Sequence, residues 1–417
     1  MSELLIHGPN KLEGELIVHG AKNSTLPLMA ASLLCSGQCV LHNCPNLSDV
    51  DTSVKILQYL GCTVERSNGD LLIEPTNANI YDIPDGLMRE MRSSIVFLGA
   101  VISRMGKAKL SLPGGCELGP RPIDLHLSAL RKMGVEINED HGCLECSAPN
   151  GIHSAAISLS FPSVGATENV MIAASISRGV TILTNAAREP EIWDLADFLN
   201  ACGAKIRGAG EGTIVIEGVK KLTGCEHTVI PDRIAAATYL TAAAITGSTL
   251  TICNVNPDHL EPVFPAFEES GCSLEYKEHN IKIISPKRLG RIKNIRTMPY
   301  PGFPTDAQAP LMAMTSLASG TSIFVETIFE SRFKHVGELL RLGANIKVEG
   351  RVAVVEGVKR LSGAPVEAAD LRGGASLVVA GLAAQGTTRI TGLKHLDRGY
   401  ENIEKCLALL GADVKRI

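Results

Sequence analysis

The sequence predicts a mixed α/β protein of six repeated units, grouped as two halves of three, and three observations carry that prediction. One glycine recurs behind an Ala-rich apolar segment, at Gly37, Gly106, Gly179, Gly247, Gly320 and Gly386. A second recurs at Gly61, Gly134, Gly203, Gly271, Gly343 and Gly411, inside the phrases YLGCTVE, KMGVEIN, ACGAKIR, ESGCSLE, RLGANIK and LLGADVK. The spacing in each series is roughly 70 residues, which exceeds a solenoid repeat and suits a βαβαββ unit.

Taken in chain order, Leu4 to Val18 has strand character and precedes the first helix, so it is available to complete the carboxy-terminal half. The first helices of the six units read AKNSTLPLMAASLLCS, MREMRSSIVFLGAVISR, GATENVMIAASISR, RIAAATYLTAAAIT, DAQAPLMAMTSLAS and GGASLVVAGLAA. Little polar surface remains beyond their first turns. A helix apolar around most of its circumference belongs inside a domain. The glycine behind each is expected in a left-handed cap, where a residue without Cβ is unstrained. An alternating strand follows, as in Thr249-Leu250-Thr251-Ile252, and then an amphipathic second helix, as in DTSVKILQYL and ENIEKCLALL, suited to the outside. The expected division is 22–229 for one half and 1–21 with 230–417 for the other, with the boundary at Val229-Ile230-Pro231-Asp232.

Composition narrows the function. A chain of 417 residues, 45% hydrophobic, buries a large core and is no disordered tail. Its 40 Lys+Arg against 44 Asp+Glu leave a net charge of -4, which argues against nucleic acid but leaves room for a local basic pocket. The amino terminus lacks a basic-then-apolar leader, and the longest uncharged apolar run, Ile234 to Thr246, is too short to span a bilayer. A soluble, cytoplasmic protein without a membrane partner is expected. The twelve cysteines are scattered, and Cys143-Leu144-Glu145-Cys146 has no second CxxC or His pair, so no metal site is expected. Cys62, Cys202 and Cys272 adjoin the second glycine, a shared position that favours packing.

Charge collects where the buried helices begin: Lys22 and Asn23, Arg89 and Arg92, Asp232 and Arg233, Asp306, and Asp370 with Arg372. The turns into the second helices add Cys116 and Arg121, Glu330 and Arg332, and Asp397 and Arg398. If the halves face each other across a cleft, helix amino termini and cations aimed into it would bind an anion. For any one residue a solvated cap or surface ion pair is the commoner fate. Recurrence at equivalent turns weakens that reading for the group. Cys116 stands in LPGGCELGPRP, whose glycines and prolines disfavour a helix or central strand. A neighbouring Arg121 or Lys22 would favour its thiolate, and Glu117 opposes this. Asp306 in PTDAQ suits an N-cap, and the same place could serve a base toward a ligand hydroxyl.

The motifs GAKNSTLPLMAASLL, PGGCELGPRPIDLH, FPSVGATENVMIAA, PGFPTDAQAP, FESRF and LDRGYE resemble, in order and along the whole chain, the UDP-N-acetylglucosamine 1-carboxyvinyltransferases of the enolpyruvyl transferase family. The resemblance implies a two-domain inside-out α/β barrel and a reaction joining phosphoenolpyruvate to UDP-N-acetylglucosamine with release of phosphate. It implies no metal and no organic cofactor. By the same resemblance Asp306 is the base near the sugar hydroxyl, and Cys116 is the acid toward C3 of phosphoenolpyruvate or the site of a covalent adduct with it. Lys22, Arg121 and Arg398 match positions that hold the phosphate, and Arg332 and Arg372 positions near the carboxylate. Arg92 joins that cationic group. Asn23 matches a position near the sugar, and Asp370 and Glu330 are expected to orient the arginines or the sugar. The nucleotide is expected at Arg121, Pro122, Ile123, Asp124, Leu125, His126, Ser163, Val164, Gly165 and Ile328. At Phe161 the chain departs from the lysine some members carry. Two other readings stand beside this one: a related transferase acting on shikimate 3-phosphate, disfavoured by PGGC and GAKN, and a non-catalytic UDP-sugar sensor, which would not need Cys116 or Asp306. The oligomeric state, monomer included, stays open.

Overall fold

The computed structural model describes residues 2–112 and 123–417, without the side chain of Arg92. The described chain divides into two compact units, residues 2–19 with Pro231–Ile417, and residues 20–112 with 123–230. Each has its own apolar core.

The buried helices are Lys22–Ser32, Phe97–Met105 and Val164–Ser175 in one unit, and Arg233–Ile245, Thr305–Thr315 and Leu371–Ala383 in the other. Their sequences lack a polar face, and nearly every residue after the first turn is buried. In the second unit the three helices pack against one another pairwise. Among the described residues six four-stranded sheets accompany them, three to a unit. In the third sheet Ala156–Ser158 runs parallel to Val180–Thr184, which pairs antiparallel with Thr213–Glu217, which pairs antiparallel with Lys205–Arg207. Parallel pairing needs a crossover, and the buried helix supplies it. With helices at the centre and sheets around them, each unit is an inside-out α/β barrel.

Both rings close with a strand from a distant part of the chain. Glu226–Thr228 pairs with Cys39–His42 in the first sheet of the 20–230 unit. Leu4–Gly8 lies between Gly386–Thr391 and Val414–Arg416, and Glu15–Ile17 pairs with Thr249–Cys253. The leading segment therefore belongs to the unit built mainly from the carboxy-terminal half.

The expected left-handed helix cap is found at Gly106, whereas the other glycines of the first series lie beyond the ends of their helices. Gly106, Gly179, Gly247, Gly320 and Gly386 have positive φ, as does every glycine of the second series. Gly37 does not, although like Gly320 it stands five residues past the end of its helix. Among the described residues no helix is long and apolar enough to cross a membrane.

Candidate active site

In the unit that contains Pro231–Ile417, the charged groups gather at the start of the helix Thr305–Thr315. Its N-cap is Pro304, so the expectation of a capping Asp306 is corrected: Asp306 stands inside the first turn, and its carboxylate lies between two guanidiniums. Arg332 donates Nη2 to Oδ1 at 2.8 Å, and Arg372 donates Nη2 to Oδ2 at 3.0 Å. Both arginine side chains are only 4% exposed, whereas that of Asp306 is 28% exposed. An ionised carboxylate has about four lone-pair sites, more than these two bonds occupy.

The arginines are held from behind. Arg332 also donates Nη2 to the Thr305 carbonyl at 3.0 Å and lies 5.4 Å over the Phe329 ring. Arg372 donates to the Tyr400 hydroxyl at 3.1 Å and lies 5.5 Å over its ring, and Tyr400 bonds Thr238 at 2.8 Å. Burial works against the Arg372 charge, but Asp306 beside it prevails and raises its pKa above the ordinary guanidinium value. Nε of both arginines is buried without a hydrogen-bond partner among the described residues. A guanidinium has five N–H donors, more than these bonds use, so each has capacity for an anion.

Asp370 caps the sixth buried helix, accepting from the amides of Arg372 and Gly373 at 3.0 Å each. Gly373 permits this, because a Cβ there would stand 2.6 Å from Asp370 Oδ2. Asp370 therefore sets the first turn that carries Arg372. Glu330 is exposed and its ion pair is with Arg351, at 3.2 Å, rather than with Arg332 or Arg372. The buried carboxylate that organises this region is Glu326, which the sequence reading missed. It accepts from Thr305 Oγ1 at 2.9 Å and from the amides of Ile328 and Phe329 at 2.8 and 3.0 Å, fixing the turn that carries Ile328. Strand parity was its signal: Ser322, Phe324 and Glu326 all point inward. Arg398 ends the short 3-10 turn Leu396–Arg398 and is half-buried.

In the 20–230 unit, Lys22 opens the first buried helix and is 8% exposed, its Nζ donating to Asp49 Oδ2 at 3.1 Å. Asp49 was also missed, although it shares the buried helical stripe of Ser53, Ile56 and Leu57. Half-buried Asn23 follows Lys22. Pro27 and Pro310 occupy the same sixth position of their helices. Proline has no N–H, so neither Asn23 nor Asp306 receives the usual i→i+4 bond at its carbonyl.

The nucleotide candidates of this unit come from two helix starts that the fold brings together. Ile123 is the N-cap of Asp124–Lys132, which carries Leu125 and His126. Ser163 caps Val164–Ser175, accepting from Ala166 N at 3.4 Å. His126 is 7% exposed and bonds Asn169 through Nδ1 at 2.8 Å, while a Cβ on Gly165 would stand 3.0 Å from its ring. Asn169, also missed, accepts from Gly99 N at 2.6 Å and donates to Ile95 O at 3.0 Å, anchoring the imidazole to the second buried helix. Asp124 is exposed. Cys116, Arg121 and Pro122 lie outside the described residues, as does the side chain of Arg92.

Residues 6–407 match the family described as EPSP synthase (3-phosphoshikimate 1-carboxyvinyltransferase). The chain is 53% identical to UDP-N-acetylglucosamine 1-carboxyvinyltransferase 2 of Caldanaerobacter subterraneus subsp. tengcongensis, over 100% of both chains. It is 48% identical to UDP-N-acetylglucosamine 1-carboxyvinyltransferase of Trichlorobacter lovleyi, over 100% of this chain and 99% of the relative. Among solved structures, the enolpyruvyl transferase NikO from Streptomyces tendae superposes with a TM-score of 0.90 at 25% identity, covering 100% of this chain and 98% of that one. EPSP synthase from Acinetobacter baumannii shares the fold, with a TM-score of 0.78 at 18% identity over the whole of both chains.

Proposed function

The chain belongs to the EPSP synthase (3-phosphoshikimate 1-carboxyvinyltransferase) family, and from that premise we propose that it transfers the enolpyruvyl group of phosphoenolpyruvate to the 3-hydroxyl of UDP-N-acetylglucosamine. The product is the 3-O-enolpyruvyl sugar nucleotide with inorganic phosphate, the first committed step of peptidoglycan precursor synthesis. The observation that carries the reading is the Asp306 carboxylate, held by two buried guanidiniums on a chain whose full-length relatives are named for this reaction.

The chemistry is addition followed by elimination. The sugar O3 bonds to C2 of phosphoenolpyruvate while its proton leaves to Asp306 and C3 gains a proton, giving a tetrahedral phosphate adduct. The C2–O bond to phosphate then breaks, a C3 proton departs, and the enol ether forms. Asp306 acts as the base, and its two arginines hold its orientation. Arg332 and Arg372 also offer their remaining donors to the substrate carboxylate, and Lys22 and Arg398 act on the phosphate. Fixed cations stabilise charge that grows as phosphate leaves. Cys116 supplies the proton to C3 or the sulfur of a covalent adduct, and Arg92 and Arg121 extend the cationic group. Asn23 acts near the sugar. His126, with Ile123, Asp124, Leu125, Pro122, Ser163, Val164, Gly165 and Ile328, serves the nucleotide. The proposed setting is the cytoplasm, where both multiply charged substrates are retained.

Phosphate release tests the proposal. Release is expected with phosphoenolpyruvate and UDP-N-acetylglucosamine together and with neither alone. Equal release when shikimate 3-phosphate replaces the sugar nucleotide would overturn the substrate assignment, and no release with the pair would favour a binding protein.

A further inference from the structure

Cysteines far apart in sequence meet in the 20–230 unit. Cys35 follows the first buried helix, Cys39 opens the strand Cys39–His42, Cys202 is the C-cap of Pro190–Ala201, and Cys225 precedes Glu226–Thr228. The sulfurs of Cys35, Cys39 and Cys202 all lie within 4.8 Å of one another, and these three residues are fully buried. Cys35 and Cys202 are 3.6 Å apart, and Cys225 adds a fourth sulfur 3.3 Å from Cys202. All four are free thiols. Sulfurs on a tetrahedral zinc, at about 2.3 Å from the metal, stand about 3.8 Å apart.

We propose that Cys35, Cys39 and Cys202, with Cys225 as fourth donor, hold one zinc ion that staples the closure of this three-repeat ring. Three sulfurs converging on one point, with a fourth at the Cys202 corner, match the donor set of a closed structural zinc site. Cys202 is the close neighbour of both Cys35 and Cys225, so these two contacts cannot both be disulfides. Arg104 adds a cation, its Nη1 donating to the carbonyls of Leu33 and Cys35 at 2.6 and 3.2 Å. On binding, each ligating thiol loses its proton to solvent and the ion keeps its charge of two, with no change of oxidation state. The location gives the ion a structural role: the parallel pair of Glu226–Thr228 with Cys39–His42 closes the ring, and the four sulfurs sit at that seam. No residue assigned to substrate is a ligand.

The test is metal analysis of the full chain, purified reduced and reconstituted with zinc. About one zinc per chain is expected, with cobalt replacing it to give thiolate charge-transfer bands and the visible spectrum of a tetrahedral ion. Cys39→Ser and Cys202→Ser should each lower the zinc at least about tenfold, while Cys62→Ser, another buried thiol, should retain it. Should the variants fail to fold, mercurial titration of the unaltered protein decides, because released zinc must then track blocked thiols. Zinc below about a tenth of an equivalent after reconstitution, a disulfide among the four, or cobalt without thiolate bands would each overturn the proposal.

Discussion

Replacing Asp306 with asparagine preserves side-chain volume and removes one charge from a place where two guanidiniums depend on it. The carboxylate accepts from Arg332 at 2.8 Å and from Arg372 at 3.0 Å, and both arginine side chains are 4% exposed. An amide oxygen can still accept from one arginine, but the amide NH2 then faces the other donor to donor. Removing one partner of a buried charged pair costs about 3–5 kcal/mol. With one bond kept and the Asp306 side chain 28% exposed, about 2–4 kcal/mol is expected. For a unit of this size that lowers the melting temperature by roughly 4–16 °C, at about 2–4 °C per kcal/mol. Loss of a general base removes a further factor of about 10²–10⁴ from kcat, or roughly 3–5 kcal/mol of barrier. The assay pairs phosphate release at saturating substrates with thermal unfolding, run below the lowered melting point. Retained sugar-nucleotide affinity with kcat down at least about a hundredfold is the expected outcome. Near-wild-type kcat in a folded variant would remove Asp306 from proton transfer and leave it only an arginine-orienting role.

Three more outcomes follow from the same residues. Cys116→Ser should no longer be labelled by the epoxide fosfomycin, and mass spectrometry showing persistent labelling would contradict its assignment as the reactive thiol. Tyr400→Phe deletes the acceptor of Arg372 and the partner of Thr238, so stability should fall by about 1–3 kcal/mol and KM for phosphoenolpyruvate should rise more than kcat falls. Urea denaturation and steady-state kinetics check both, and an unchanged KM would show that Tyr400 does not position Arg372 for substrate. His335 is buried, and burial, with Arg332 adding to it, lowers its pKa from 6.5 to about 4. The unfolded chain then binds the extra proton first, so this contribution is fully present above pH 6.5 and is lost as pH falls toward 4. The difference is on the order of 3 kcal/mol, and His335→Asn should flatten the stability profile across that window. An identical profile in the variant would assign the pH dependence to other groups.

What could be read in the sequence was whatever follows from local periodicity. Glycines at a fixed spacing, apolar helices without a polar face and alternating strands are properties of neighbouring residues, so the six units and their inward helices were legible. Resemblance carried the same legibility to Asp306, Arg332 and Arg372. Glu326 and Asp49 were within reach too, because each lies on an inward-facing register that a charge does not normally occupy.

Tertiary structure alone decided which side chains became partners. Nothing local distinguishes a capping Asp306 from one gripped by guanidiniums 26 and 66 residues away. Nor does local spacing join Cys35 to Cys202 across 167 residues, or His126 to Asn169 across 43. The physical reason is that helix and strand preferences are settled within a few residues, whereas buried polar groups are satisfied by whatever donors and acceptors the folded chain brings alongside. Ring closure by strands distant in sequence is what brings them there.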